Sequence, residues 1–313
     1  MPAKVGIPRA LLFYKYSPLW VNFFQNLGVE VVISPQTSKK ILNDAIESCV
    51  DDACLPVKLY HGHVLSIKDK VDYLFIPRIM RVNKGRHICP KFGGLPEMIK
   101  YSLPGLPPII DVEIDLPKGL RTLQAGRYFS KDYRQISKAY NNALLQLKEQ
   151  EKKLQNKFTR WQHSDKSKIM VFGHPYNLYD SYSNMNVLAK IERQGLDVWT
   201  TEMISDQEIK KYAETYDGKY LWTFAERLIG ASKYLLAKGN IEGIIYISSF
   251  GCGIDAVVGS TVERIVRRGS KIPFMFLNID EHTGEGGVDT RIEAFIDLID
   301  WRGKSESNIS AHG

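Results

Sequence analysis

Along this chain, short apolar runs alternate with longer stretches in which apolar residues recur every three or four positions. AKVGIPRALLF opens with such a run, SPLWVNFFQNLG carries helical spacing up to Gly28, and VEVVIS reads as a buried strand. Strand, helix and strand within so short a span is the unit of a parallel sheet, because parallel strands need a crossover connection. SKKILNDAIES predicts a helix capped by Ser38 or Thr37. VKLYHGHVLSIKDK predicts another helix, VDYLFIPR a strand broken by proline, LPEMIKYSL a helix and PPIIDVEID a strand.

The pattern changes over residues 119–165. KDYRQISKAYNNALLQLKEQEKKLQNKFTRWQH has helical periodicity, many charges and neither Pro nor Gly, so it predicts a helical connector. Alternation resumes with the strand KIMVFGH, the helix NMNVLAKIERQG, the strand LDVWTTE and the helix around LWTFAERLIGASKYLLAKG. It continues with the strand IEGIIYIS, the helix DAVVGSTVERIVRRG, the strand IPFMFLNI and the helix TRIEAFIDLI. The expected fold class is therefore α/β, with an open parallel sheet covered by helices in each half. The divisions expected are 1–118, the connector 119–165, 166–303, and a loose tail over 304–313.

Composition narrows the classes of function. With 44% hydrophobic and 25% charged residues and no low-complexity tract, the 313 residues suit two folded domains of about 100 to 200 residues each. The net charge of +7 raises nucleic acid as a partner, but basic runs such as KEQEKKLQNK are interleaved with acids, which does not favour it. The N-terminus lacks the pattern of a secretory signal, and no apolar run reaches the length of a membrane span. The expectation is a cytoplasmic protein without a membrane or nucleic-acid partner, whose thiols stay reduced.

Four cysteines then read as metal ligands, nucleophiles or inert core residues. Cys49 and Cys54 lie between two expected helices, Cys89 follows VDYLFIPR, and Cys252 sits in SSFGCGIDA between a strand and a helix. Ligands of open α/β sheets gather at the carboxyl ends of strands, where such loops meet. Gly251 and Gly253 let the backbone approach a bulky ligand and aim amides at sulfur. The spacing, one CxxxxC pair with two distant partners, suits a cluster in an interdomain cleft better than a zinc ribbon built from paired CxxC. Burial of all four as core residues stays open.

CVDDACLPVKLYHGHV, VDYLFIPR and ICPKFGGLPEMI, with VFGHPYNLYD, SSFGCGIDAV and DEHTGEGGVDTRIEAFID, resemble the 2-hydroxyacyl-CoA dehydratase and benzoyl-CoA reductase superfamily. The match is nearest to its small branch of acyl-CoA dehydratase activase-related proteins, and covers nearly the whole chain outside the connector. The resemblance implies two Rossmann-like (flavodoxin-like) domains with a 4Fe-4S cluster in the cleft between them. It places the three family ligands on Cys54, Cys89 and Cys252, with Cys49 additional and a candidate to close the fourth iron site, which would block substrate ligation and favour electron transfer. It further implies low-potential electron transfer or a radical dehydration or reduction of an acyl-CoA-like molecule, with a redox partner protein or ATP-dependent activator, and a homodimer as one possible assembly. GxxxxGK[ST] is absent, which argues against an ATPase. The rival class is a noncatalytic two-lobed module that closes on a small ligand or holds zinc.

Other side chains fall at the same expected edges. Lys58 is a candidate to neutralise a cluster or a coenzyme phosphate, or a residue of a solvated face. His61 and His63 can bond to sulfur or carry protons, or pack in the core. His174, with Tyr176, Asn177 and Asp180, follows a strand. Asp280, Glu281, His282, Glu285 and Arg291 form a polar Gly-rich loop with acid-base potential. Arg9 and Arg78 follow strands and are weaker candidates for an anion. The catalytic candidates are His61, His174, Glu281 and His282.

Overall fold

The computed structural model describes residues 1–83, 85–115, 122–220 and 222–310. The chain divides into two units, Met1–Leu154 with Lys219–Ala225, and Gln155–Gly218 with Glu226–Gly313. Both are α/β units with parallel sheets.

The first unit runs through β1 (Lys4–Ile7), α1 (Phe13–Asn26), β2 (Glu30–Ile33), α2 (Lys39–Ser48) and α3 (Leu55–Ile67). It continues with β3 (Tyr73–Phe75), β4 (Arg78–Arg81), α4 (Pro90–Gly93), α5 (Leu95–Ser102), β5 (Ile109–Ile110), β6 (Glu113–Asp115) and the start of α6 (Tyr133–Gln162). The main sheet has the order β2-β1-β3-β5 with every pair parallel. Trp20 and Phe24 of α1 pack edge-on against Phe75 of β3, so the apolar stripe of α1 is buried on the sheet.

VDYLFIPR and PPIIDVEID each contain two strands rather than one. Pro77 lacks an N–H and breaks the ladder, after which Arg78 and Ile79 pair with Glu113 and Ile114 in a separate two-stranded sheet, β4-β6. The ladder there carries an irregularity between Ile79 and Arg81. Helices α2 and α3 cross closely at Gly62, where an added Cβ would stand 2.2 Å from the Ile41 carbonyl oxygen.

The second unit contains β7 (Lys168–Phe172), α7 (Pro175–Tyr179), α8 (Val187–Arg193), β8 (Asp197–Thr200) and α9 (Asp206–Ala213). It continues with most of α10 (Thr223–Lys238), then β9 (Gly243–Ser249), α11 (Gly253–Gly269), β10 (Phe274–Ile279) and α12 (Glu285–Ser310). Its sheet order is β10-β9-β7-β8, again all parallel. Counting only the strands of each four-stranded sheet, both read second, first, third, fourth, the flavodoxin-like order. That order has a switch point between its first and third strands, β1/β3 in the first unit and β7/β9 in the second.

Three expectations need correction. Helix α9 was not expected; its short amphipathic run is capped by Ser205, whose Oγ accepts from Glu208 N. The loose tail begins as helix, since α12 continues through Ser310, and residues 311–313 lie outside the described set. The helix expected around LWTFAERLIGASKYLLAKG is present as α10, but its first residues belong to the first unit, where Trp222 bridges to His87 and Thr223 N donates to His87 O at 2.8 Å.

The α2–α3 crossing generates a stability prediction. Gly62→Ala forces the helices apart and is expected to cost about 1–3 kcal/mol. Gly286→Ala, at the exposed start of α12 where an added Cβ meets nothing within 4 Å, is neutral or stabilising. Denaturant midpoints measure both, and equal midpoints for Gly62→Ala and the wild type would show that the crossing yields freely.

Candidate functional site

Cys54, Cys89 and Cys252 each occupy the N-cap of a helix, respectively α3, α4 and α11. The carbonyl of each accepts the first turn's bonds: Val57 N to Cys54 O at 2.9 Å, Phe92 N to Cys89 O at 3.0 Å, Ala256 N to Cys252 O at 3.1 Å. A helix N-terminus leaves backbone N–H groups unpaired and favours negative charge, so it suits a thiolate. None of the four cysteines is in a disulfide, and all are partly exposed. Cys49 differs in being the C-cap of α2, and burial pushes its thiol up, partly offset by the Val50 amide and the charges of Lys58 and Lys91.

In the first unit, Lys91 Nζ lies 3.7 Å from Cys54 Sγ. Lys91 is the second residue of the turn that Cys89 begins, so this cation ties the Cys89 segment to the Cys54 sulfur; sequence reasoning missed it although CPK stands in the motif. Lys58 is 3% exposed, which removes the solvated-face alternative. His61 is buried on α3, its Nδ1 paired with Val57 O at 2.9 Å, and its Nε2 meets no hydrogen-bond partner among the described residues. His63 lies between Ser34 Oγ (2.9 Å from Nδ1) and Thr37 Oγ1 (3.0 Å from Nε2), so both its nitrogens are engaged in the core. Burial, helped by Arg9, pushes its pKa down to about 3.

The arginine candidates are held internally. Arg9 donates from its backbone N to Ser34 Oγ and from Nε to Ser34 O. Arg78 makes a two-pronged contact with Glu97 and donates to Gly93 O, which braces the segment after Cys89.

The second unit assembles a tighter group at its switch point. His174 is the N-cap of α7 just beyond β7, and Cys252 the N-cap of α11 just beyond the neighbouring β9. Asp255 lies one helical turn after Cys252 and is fully buried, as is His174 at 1% exposure. One ligand atom from each of His174, Cys252 and Asp255 falls within 4.8 Å of the others, the one such group among the described residues. His174 Nε2 stands 3.0 Å from Asp255 Oδ1, which also accepts from Tyr246 Oη at 2.8 Å. Burial opposes charge on His174, but the Asp255 carboxylate and the Cys252 sulfur outweigh it and push the imidazole up to about 10. Asp255 and Tyr246 escaped sequence reasoning; the available signal was an acid three residues into the helix that Cys252 starts.

Gly251 has φ +75°, a left-handed conformation that turns the chain sharply into Cys252, and an added Cβ on Gly253 would meet nothing within 4 Å. Asn177 Oδ1 accepts from Ser249 Oγ at 2.8 Å, linking the α7 loop to the end of β9. Tyr176 packs on His174 with ring centroids 5.2 Å apart, and Asp180 caps Tyr182 N and Ser183 N.

The acidic loop behaves as structure. Asp280 Oδ1 accepts from His282 N and Thr283 Oγ1, Glu285 pairs with Lys190, and His282 and Arg291 are exposed. Glu281 and His282 are not drawn into the His174 group.

Two family descriptions match. The CoA enzyme activase uncharacterised domain matches residues 4–204, and the 2-hydroxyglutaryl-CoA dehydratase D-component matches residues 114–299. The chain belongs to this activase-related dehydratase family. Curated proteins give no match. The two matches overlap across α6, so the family covers both cysteine-bearing regions, with Cys54 and Cys89 in the first match and Cys252 in the second. No described helix is long and apolar enough to cross a membrane.

The buried His63 generates a pH prediction. Unfolded, it takes up a proton near its ordinary 6.5, but in the fold not until about 3. The unfolded chain therefore binds more protons in that window, and stability falls as pH drops through it. Between about pH 6 and pH 4.5 this costs about 2 kcal/mol. His63→Asn should flatten that part of the profile in urea midpoints taken against pH; parallel profiles for variant and wild type would assign the loss elsewhere.

Proposed function

We propose that this family member is an iron-sulfur redox protein that ligates one 4Fe-4S cluster through Cys54, Cys89 and Cys252 and acts on an acyl-CoA-type thioester. The observation that carries the reading is that these three cysteines, and not Cys49, stand at helix N-caps, partly exposed. The residues fit such a group. None of them is in a disulfide, and Lys91 adds a cation beside Cys54. When bound, the cluster supplies a low-potential electron for dehydration or reduction of the thioester.

Cys49 is the outsider. At the C-cap of α2 its thiol is pushed up by burial, which the Val50 amide and the charges of Lys58 and Lys91 only partly offset. Cys54, Cys89 and Cys252 as the three ligands would leave one position open to a substrate oxygen, so the reading favours a catalyst over a sealed electron carrier. The electron comes from a redox partner or an ATP-dependent activator.

A second reading has its own observation: the His174, Cys252 and Asp255 donors are close enough for one divalent ion such as zinc. Anaerobic purification followed by metal and sulfide analysis separates the two. The cluster reading expects a brown protein with about four iron and four sulfide per chain. Colour should be lost in Cys54→Ala, Cys89→Ala and Cys252→Ala but kept in Cys49→Ala. A colourless wild type carrying stoichiometric zinc, lost in Cys252→Ala alone, would sink the cluster reading in favour of the single ion.

A further inference from the structure

We propose that His174 is a positioning residue for Cys252: held by Asp255 and Tyr246, its imidazole donates a hydrogen bond to the Cys252 sulfur and raises the reduction potential of the cluster bound there. The inference rests on the cluster reading and adds a residue with a defined task to it.

Three features of the second unit carry it. The first is reach: donor atoms of His174, Cys252 and Asp255 lie within 4.8 Å of one another. The second is burial, because a fully buried carboxylate is costly unless paired, and Asp255 meets this cost with the Tyr246 hydroxyl at 2.8 Å and His174 Nε2 at 3.0 Å. This pairing fixes the imidazole, much as a carboxylate behind a metal site orients the histidine that ligates the metal. The third is topology. His174 and Cys252 follow adjacent parallel strands, with Phe172 registered on Tyr246, so the sheet itself brings them to one edge.

A hydrogen bond to a ligating sulfur stabilises the more negative, reduced cluster, so its removal lowers the potential. Wild type, His174→Ala, His174→Gln and Tyr246→Phe are loaded anaerobically, and iron content and midpoint potential are measured. Iron should stay at the wild-type level. His174→Ala should lose at least tenfold in the one-electron reduction equilibrium, about 59 mV. His174→Gln, which keeps an N–H donor, recovers most of that loss, and Tyr246→Phe shows a smaller drop in the same direction. In the metal-free proteins, iodoacetamide labelling mapped by mass spectrometry should show Cys252 reacting several-fold more slowly in His174→Ala, with Cys49, Cys54 and Cys89 unchanged. Full loading with unchanged potentials overturns the inference and leaves the cluster reading intact. A colourless wild type overturns the cluster reading and the effect on its potential, while the labelling comparison decides the contact between His174 and Cys252. If His174→Ala does not fold, His174→Gln and Tyr246→Phe decide: a potential unchanged in Tyr246→Phe counts against the inference.

Discussion

A carboxylate taken wholly out of water must be paired, and in the second unit that requirement organises the ground around Cys252. Asp255 is fully buried one turn into α11, and its partners come from two adjacent strands: Tyr246 from the middle of β9 and His174 from just beyond β7. The effective penalty for an unpaired buried ion is several kcal/mol, so these three side chains hold one another in place. The start of α7 and the start of α11 are thereby fixed together, and Cys252, itself partly exposed, rides on that frame.

The first unit solves the corresponding problem with the opposite charge state. His63 is also buried near the carboxyl end of a parallel sheet, yet it is flanked by hydroxyls and has Arg9 close by in place of a carboxylate, so it is held neutral. His174 has Asp255 and is held charged. The same residue type under the same burial thus goes two ways according to its partner, since burial disfavours the cation in both. Only the second case places a charged donor beside a cysteine. Beside Cys54 that part falls to Lys91, a flexible cation on the neighbouring turn rather than a ring locked in the core.

Periodicity made the fold legible because parallel sheets covered on both faces need continuous apolar strands between amphipathic helices. KIMVF and GIIYISS are buried at every position and read plainly. What failed was short or long-range. Strands β5 and β6, of two and three residues, are too brief for a period to register, and the division at Pro77 depends on a ladder between distant segments. The cysteines and His174 stood out as reactive types following strands. Asp255 did not, because an acid in a first turn usually reads as a favourable helix start; its burial follows from Tyr246 and His174, the latter 81 positions away in the chain. The acidic Gly-rich loop misled for the converse reason: its residue types imply chemistry, but Asp280 folds the loop onto itself and Glu285 pairs with Lys190.

The helix termini explain why the four cysteines should not be equivalent. Residues with the same side chain and similar exposure differ in the backbone field they feel: at an N-cap the nearest unpaired groups are N–H donors, at a C-cap they are carbonyl oxygens. Cys54, Cys89 and Cys252 are N-caps and Cys49 is a C-cap, although the Val50 amide also reaches the Cys49 thiol. Lys58 and Lys91 partly compensate Cys49, yet burial still wins and its thiol is held protonated above the ordinary range. Helix position thus separates Cys49 from Cys54, although the two are near neighbours in the chain and indistinguishable by residue type.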